Sequence, residues 1–96
     1  MSDIDVACAS AGDRWACTVR VREDGDTTEH EVTVRAGDAI DHGIRNVDDA
    51  ERLVHETFAF LLERESTSSI LRTFDLDVVR HYFPEYEREI RRRLGR

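Results

Sequence analysis

The 96-residue sequence has no lysine, one proline (Pro84), one tryptophan (Trp15) and two cysteines (Cys8 and Cys17). Each scarcity excludes something. All fourteen bases are arginine and they face twenty-one acids, for a net charge of −7. Such a chain repels phosphates and anionic bilayers as a whole, so neither nucleic acid nor a membrane is its default partner. No apolar run approaches the roughly 20 residues of a membrane span. The acidic start MSDIDVACAS lacks the basic head of a signal peptide, so a cytoplasmic location is expected. The spacing of Cys8 and Cys17 fits neither a Cys-x-x-Cys redox pair nor a zinc knuckle, and both are read as free buried thiols packing as small hydrophobes. There is no phosphate-binding glycine loop and no Gly-x-Ser-x-Gly turn, and neither cysteine has an assignable base. No catalytic residue, metal ligand or cofactor is assigned.

What is present is charge and alternation. Charged residues make up 36% of the chain, against about a quarter in ordinary domains, so the surface is dense with ions. Excess acid with arginine as the only base resembles the composition of high-GC, salt-loving microbes, and a haloarchaeal source is expected. The length suits one domain over residues 1–96 with a single modest core.

Residues 1–12 alternate weakly (Ile4, Val6, Cys8) before a turn-like SAGD, and form either a short extra strand or a loose segment. From Trp15 the alternation is firm: Trp15, Cys17, Val19 and Val21 against Ala16, Thr18, Arg20 and Arg22. After EDGDT, His30, Val32 and Val34 alternate again. A turn at Gly25-Asp26 predicts a hairpin with Val21 opposite His30, Val19 opposite Val32 and Cys17 opposite Val34. It also sets Arg20 against Glu31 and Arg22 against Glu29. RAGDAIDHGIRN (35–46) reads as a turn-rich connection. Asn46 caps a helix over about 47–64, with Asp49 in a capping-box-like position. Its apolar stripe is Val47, Ala50, Leu53, Val54, Phe58, Leu61 and Leu62. STSS ends it and introduces a short turn with Ile70, Leu71 and Phe74. Asp75 is expected to cap a short helix, and Pro84 to open a final one closing with Arg91, Arg92 and Arg93.

The predicted fold is therefore α+β: an N-terminal antiparallel hairpin of two to three strands packed against one long and two to three short C-terminal helices. The strand face 15/17/19/21 meets the helix face 50/54/58/61, with Phe74, Leu76, Tyr82 and Phe83 closing the end. A two-stranded sheet leaves edges exposed, so pairing of sheets across a homodimer is a hypothesis.

Candidate sites are few. The histidines (His30, His42, His55, His81) are scattered, and HETF at 55–58 has Ala59 where a metalloprotease helix needs a second histidine. GDAIDHG offers Asp38, Asp41 and His42 for a divalent ion or a proton relay, or as a solvated loop. Asp75/Asp77 and Glu85/Glu87 suit helix starts better than acid–base work. Arg88, Arg91, Arg92, Arg93 and Arg96 form the one local reversal of charge, a contact for phosphates or an acidic partner, or a solvated helix end. Trp15 serves the core, or stacks on a partner.

The stretch FAFLLERESTSSILRTFDLDVVRHYFPEYEREI (58–90) resembles a small family of prokaryotic proteins with Leu-Leu-Glu-Arg-Glu, Ser-Ile-Leu, Phe-Asp-Leu and Tyr-Phe-Pro-Glu-Tyr signatures. Trp15 and His30-x-Val-x-Val match more loosely. The resemblance implies one compact domain and, since that family has no assigned activity, no functional residues. The leading expectation is a non-catalytic binding or adaptor protein with an unknown protein partner. The alternatives are a nucleic-acid-associated regulator using the C-terminal arginines and a small metal-dependent protein using Asp38, Asp41 and His42.

Overall fold

Alternation at both ends of EDGDT becomes a three-strand meander. In the computed structural model, which describes residues 2–95, β1 (Ser2–Ala11), β2 (Arg14–Glu23) and β3 (Asp26–Val34) pair antiparallel in that order. The N-terminal segment is thus a full strand. The β2–β3 turn falls on Asp24-Gly25, both with positive φ (52° and 85°), the requirement of the primed hairpin turn that Asp-Gly favours. This corrects the expected turn at Gly25-Asp26. Every pair shifts by two: Val19 faces His30, Cys17 faces Val32, and Arg20 meets Glu29 at 3.0 Å, not Glu31. A shift of two keeps each side chain on its face, so the inward set survives the correction.

Cys8 and Cys17 are not free thiols. They lie opposite each other in the β1–β2 register and are joined as a disulfide, Cα–Cα 4.1 Å apart. The free-thiol expectation treated each cysteine alone. Once residues 2–11 form a strand, a tight turn at Gly12-Asp13 brings the two side by side. The outward N–H of Cys8 donates to Glu51 Oε2 at 2.9 Å, so a carboxylate occupies part of the sheet's free edge.

The 35–46 segment is not all loop. α1 (Ala36–Asp41) closes on a Schellman arrangement, with Ile44 N–H to Ala39 C=O at 2.8 Å, Gly43 N–H to Ile40 C=O at 3.2 Å, and Gly43 at φ 67°. α2 (Val47–Leu62) starts as expected: Asn46 Oδ1 accepts from Asp49 N–H at 2.9 Å, and Asp49 accepts from Arg45 N–H. A cap of this kind stabilises by about 1 kcal/mol.

Two faces of α2 are buried, not one. Ala50, Leu53, Val54, Phe58 and Leu61 are buried as expected, but so are Thr57 and Phe60, while Val47 is exposed. Phe58 stands between His30 (5.2 Å) and Phe74 (6.0 Å), on the sheet side. Phe60 meets the rings of Tyr86 (5.4 Å) and Phe83 (5.7 Å) on the other. His30 is a core residue: Nδ1–H donates to the Leu71 carbonyl (2.7 Å), and Nε2 accepts from Thr28 (3.0 Å).

After a 3-10 turn at Thr67–Ser69, β4 (Thr73–Asp75) joins β3 in parallel, Val32 opposite Phe74, to give the sheet order β1-β2-β3-β4. Asp75 is therefore a strand residue paired with Arg35 at 2.8 Å, not a helix cap. α3 (Asp77–Tyr82) starts two residues later, and α4 (Tyr86–Arg93) starts two residues beyond Pro84, which sits in the preceding turn. Leu76 is buried and Phe83 half-buried, but Tyr82, expected at the closed end of the core, is 70% exposed. The opposite face of the sheet carries exposed Asp5, Arg20 and Glu29 in one cross-strand row. No described helix is long and apolar enough to cross a membrane.

Candidate functional site

α3 has two working sides. One side, with Asp77 and Arg80, faces α1 and α4, and there the residues singled out as a possible ion site are found. Asp38 on α1 and His42, the residue that caps its C-terminus, are buried at 7% and 3% exposure, while Asp41 is exposed. Arg80 reaches Asp38 at 3.3 Å, Glu87 at 3.3 Å, and Asp77. His42 Nε2 lies 3.8 Å from Glu87. A guanidinium thus occupies the centre a cation would need, and the residues enclose no space that a water could fill. Among the described residues no group of three or more His, Cys, Asp or Glu is placed to hold a metal ion.

Burial sets the protonation here. Loss of water raises the Asp38 carboxyl above its usual value despite Arg80, and lowers the His42 imidazole despite Glu87 and Asp38. Tyr86, alongside, donates to Thr57 Oγ1 at 2.7 Å, and Thr57 donates in turn to the Leu53 carbonyl; burial raises the phenol. The cluster is closed, with its carboxylates paired to Arg80 and the Tyr86 hydroxyl to Thr57, while His42 lies 3.8 Å from Glu87.

The other side of α3, with Val78, Val79 and Tyr82, borders an open groove of about 210 Å³. Its buried lining is Leu61, Ile70, Phe74 and Val79. Leu71 (52% exposed) and Tyr82 (70% exposed) flank it, two of the large apolar side chains that the fold leaves in water. Glu65, half-buried, also lines it. The groove exists because β4 draws 70–74 back to the sheet while α2 ends at Leu62, leaving the space between them for α3 to roof in part.

The C-terminal arginines are only partly a patch. Arg93 is half-buried against Glu63 (2.6 Å) and Glu89 (3.7 Å), Arg92 meets Glu89 (2.7 Å), and Arg91 meets Glu87 (3.9 Å). Arg88, Arg91 and Arg92 share a shallow surface with Glu87, and Arg96 lies outside the described residues. Trp15 is half-buried beside the core. Ser66 contacts Ser68 and Ser69 through its hydroxyl at 3.1 Å each, within the turn.

The sequence pattern placed Phe74 and Tyr82 with Leu76 and Phe83 at the closed end of the core, and Ile70 and Leu71 in the short turn before them, but gave Glu65 no role. The signal was available: Glu65 follows the last apolar residues of α2 and precedes the STSS break, where no helical neighbour four residues on can pair with it. No family model, no curated protein and no solved structure matches the chain.

Proposed function

We propose that this protein is a non-catalytic binding module whose docking surface for a protein partner is the groove between the end of α2, the 70–74 segment and α3. One observation carries the reading: the groove is apolar, open and flanked by Leu71 and Tyr82, which are kept in water although an ample core lies beside them. Tyrosine at such a rim is typical of residues that anchor interfaces. The polar cluster on the other side of α3 has no room for a substrate, so its perturbed groups support structure and not chemistry.

A nucleic-acid role draws less support, because Arg91, Arg92 and Arg93 already have acidic partners on the same chain. Sheet pairing across a homodimer would use the β1 edge. A two-fold centred on Val6 needs the Cys8 N–H to leave Glu51, and one centred on Ile4 sets Asp3 against the copy's Asp5. The acid-rich, lysine-free composition suits a salt-rich cell interior. Disulfides are rare in a reducing cytosol, so the Cys8–Cys17 bond weighs against cytoplasmic residence unless the host is itself an exception.

Selection of a random peptide display library on the folded protein tests the docking reading. Enriched peptides should bind the natural chain and lose at least tenfold in affinity for a Leu71→Ser/Tyr82→Ala variant. Peptides that bind both forms equally would overturn it.

A further inference from the structure

The groove has room for one large side chain. Its volume of about 210 Å³ falls below the roughly 300–1,000 Å³ of pockets that enclose whole small molecules. It is too large to be a packing gap, since a water occupies about 30 Å³. An apolar anchor projecting from a peptide fits it.

Glu65 adds chemistry. The carboxylates of this chain that are at least half-buried are otherwise engaged. Asp38, Asp77 and Glu87 meet Arg80. Asp49 and Glu51 accept from backbone N–H groups. Glu56 meets His55, Asp75 meets Arg35, and Glu89 meets Arg92. Glu23 has an interaction of its own. Among the described residues Glu65 alone in that set has neither an ion pair nor a hydrogen bond to its side chain, and it lines the apolar groove. The neighbouring Arg64 does not serve it, being turned over the Phe60 ring at 3.7 Å and toward Glu85 at 3.4 Å.

An apolar occupant would strip water from this carboxylate and leave it unpaired, which is unfavourable. A cation beside the anchor removes that penalty with a charge-assisted hydrogen bond. We infer that the groove recognises a protein segment in which a large apolar residue is directly flanked by arginine or lysine, with Glu65 taking the cation. The net charge of −7 favours the encounter with such a segment. This inference rests on the docking role of the groove and specifies its partner.

The test uses four capped dipeptides, acetyl-Leu-Arg-amide, acetyl-Leu-Gln-amide, acetyl-Leu-Glu-amide and acetyl-Gly-Arg-amide, titrated calorimetrically into the full chain and into Glu65→Gln. Glu65 has no partner to lose, so the variant should melt with the parent, which a thermal scan checks. The Leu-Arg probe should bind about two- to fivefold tighter than Leu-Gln, as one partly exposed ion pair gives. Leu-Glu should be weakest, Gly-Arg should fail for want of an anchor, and Glu65→Gln should erase the difference between Leu-Arg and Leu-Gln. Equal binding of Leu-Arg and Leu-Gln, or a preference that persists in Glu65→Gln, would overturn the role of Glu65 while leaving the groove a docking site. Failure of every Leu probe to bind either form would overturn the docking reading and this inference together.

Discussion

The two sides of α3 differ in how they treat charge. Toward α1 and α4, Asp77 and Arg80 help close a set in which Asp38 and Glu87 pair with Arg80, His42 is buried beside them, and no space remains. Toward the end of α2, Val78, Val79 and Tyr82 border open apolar space with a single unpaired carboxylate. From composition alone the first looks like the active region, with acids, a histidine and an arginine together. Satisfaction reverses that ranking. Paired charges with no room describe a strut, whereas room beside an unpaired charge describes a place for something else.

Removing Arg80 should separate the two sides most sharply. Arg80→Ala leaves the Asp38 carboxylate buried without its cation, and a loss of about 2 kcal/mol in denaturant unfolding is expected near neutral pH. Asp38→Asn in the same background should recover part of that loss, because it removes the buried charge. A loss under about 0.5 kcal/mol for Arg80→Ala would show that the cluster is not a strut.

The acid response of the closed side comes next. Burial lowers His42 from its usual 6.5, so its contribution is complete above that value and declines as pH falls below it, when the unfolded chain takes the proton first. Asp38, raised by burial, has the opposite slope and gains as pH falls through its raised folded value. His42→Gln keeps the Asp38 slope and removes its own. The difference in stability between parent and variant should therefore shrink between pH 7 and pH 5, by less than about 1.4 kcal/mol per pH unit. A difference flat with pH would mean His42 is not held neutral by burial.

The open side should be nearly silent in stability. Glu65→Gln and Tyr82→Ala are expected to change unfolding free energy by no more than about 0.5 kcal/mol each, since neither side chain satisfies a buried partner. A loss near 2 kcal/mol from either would move that residue into the structural account and remove it from the site.

What the sequence made legible follows from which forces are local. The inward faces of β2 and β3, the Asn46 cap and most of the α2 stripe rest on period and capping chemistry, and they stand in the structure where the pattern put them. Phe60 did not follow from a single stripe because its burial depends on α4 folding back, a contact 26 residues along the chain, Phe60 to Tyr86. Asp75 looked like a cap because a three-residue strand has too few residues to show alternation, and its parallel partner β3 lies about forty residues earlier. The disulfide required knowing that residues 2–11 are a strand. Thiol titration of the unfolded chain should accordingly find no free cysteine without reductant and two with it; two thiols without reductant would contradict the bond. The site was half legible: Phe74 and Tyr82 were expected together at the closed end of the core and Leu71 in the short turn before it, and only the three-dimensional gap beside them distinguishes a core end from a groove.

The most direct measurement is a ¹H–¹⁵N shift map of the full chain titrated with acetyl-Leu-Arg-amide. The expected perturbations are contiguous over Leu61, Glu65, Ile70, Leu71, Val79 and Tyr82, with Asp38, His42 and Arg91 unmoved. Shifts centred on α1 or on the arginines of α4, or none at saturating peptide, would contradict the claim that the groove is where this protein meets its partner.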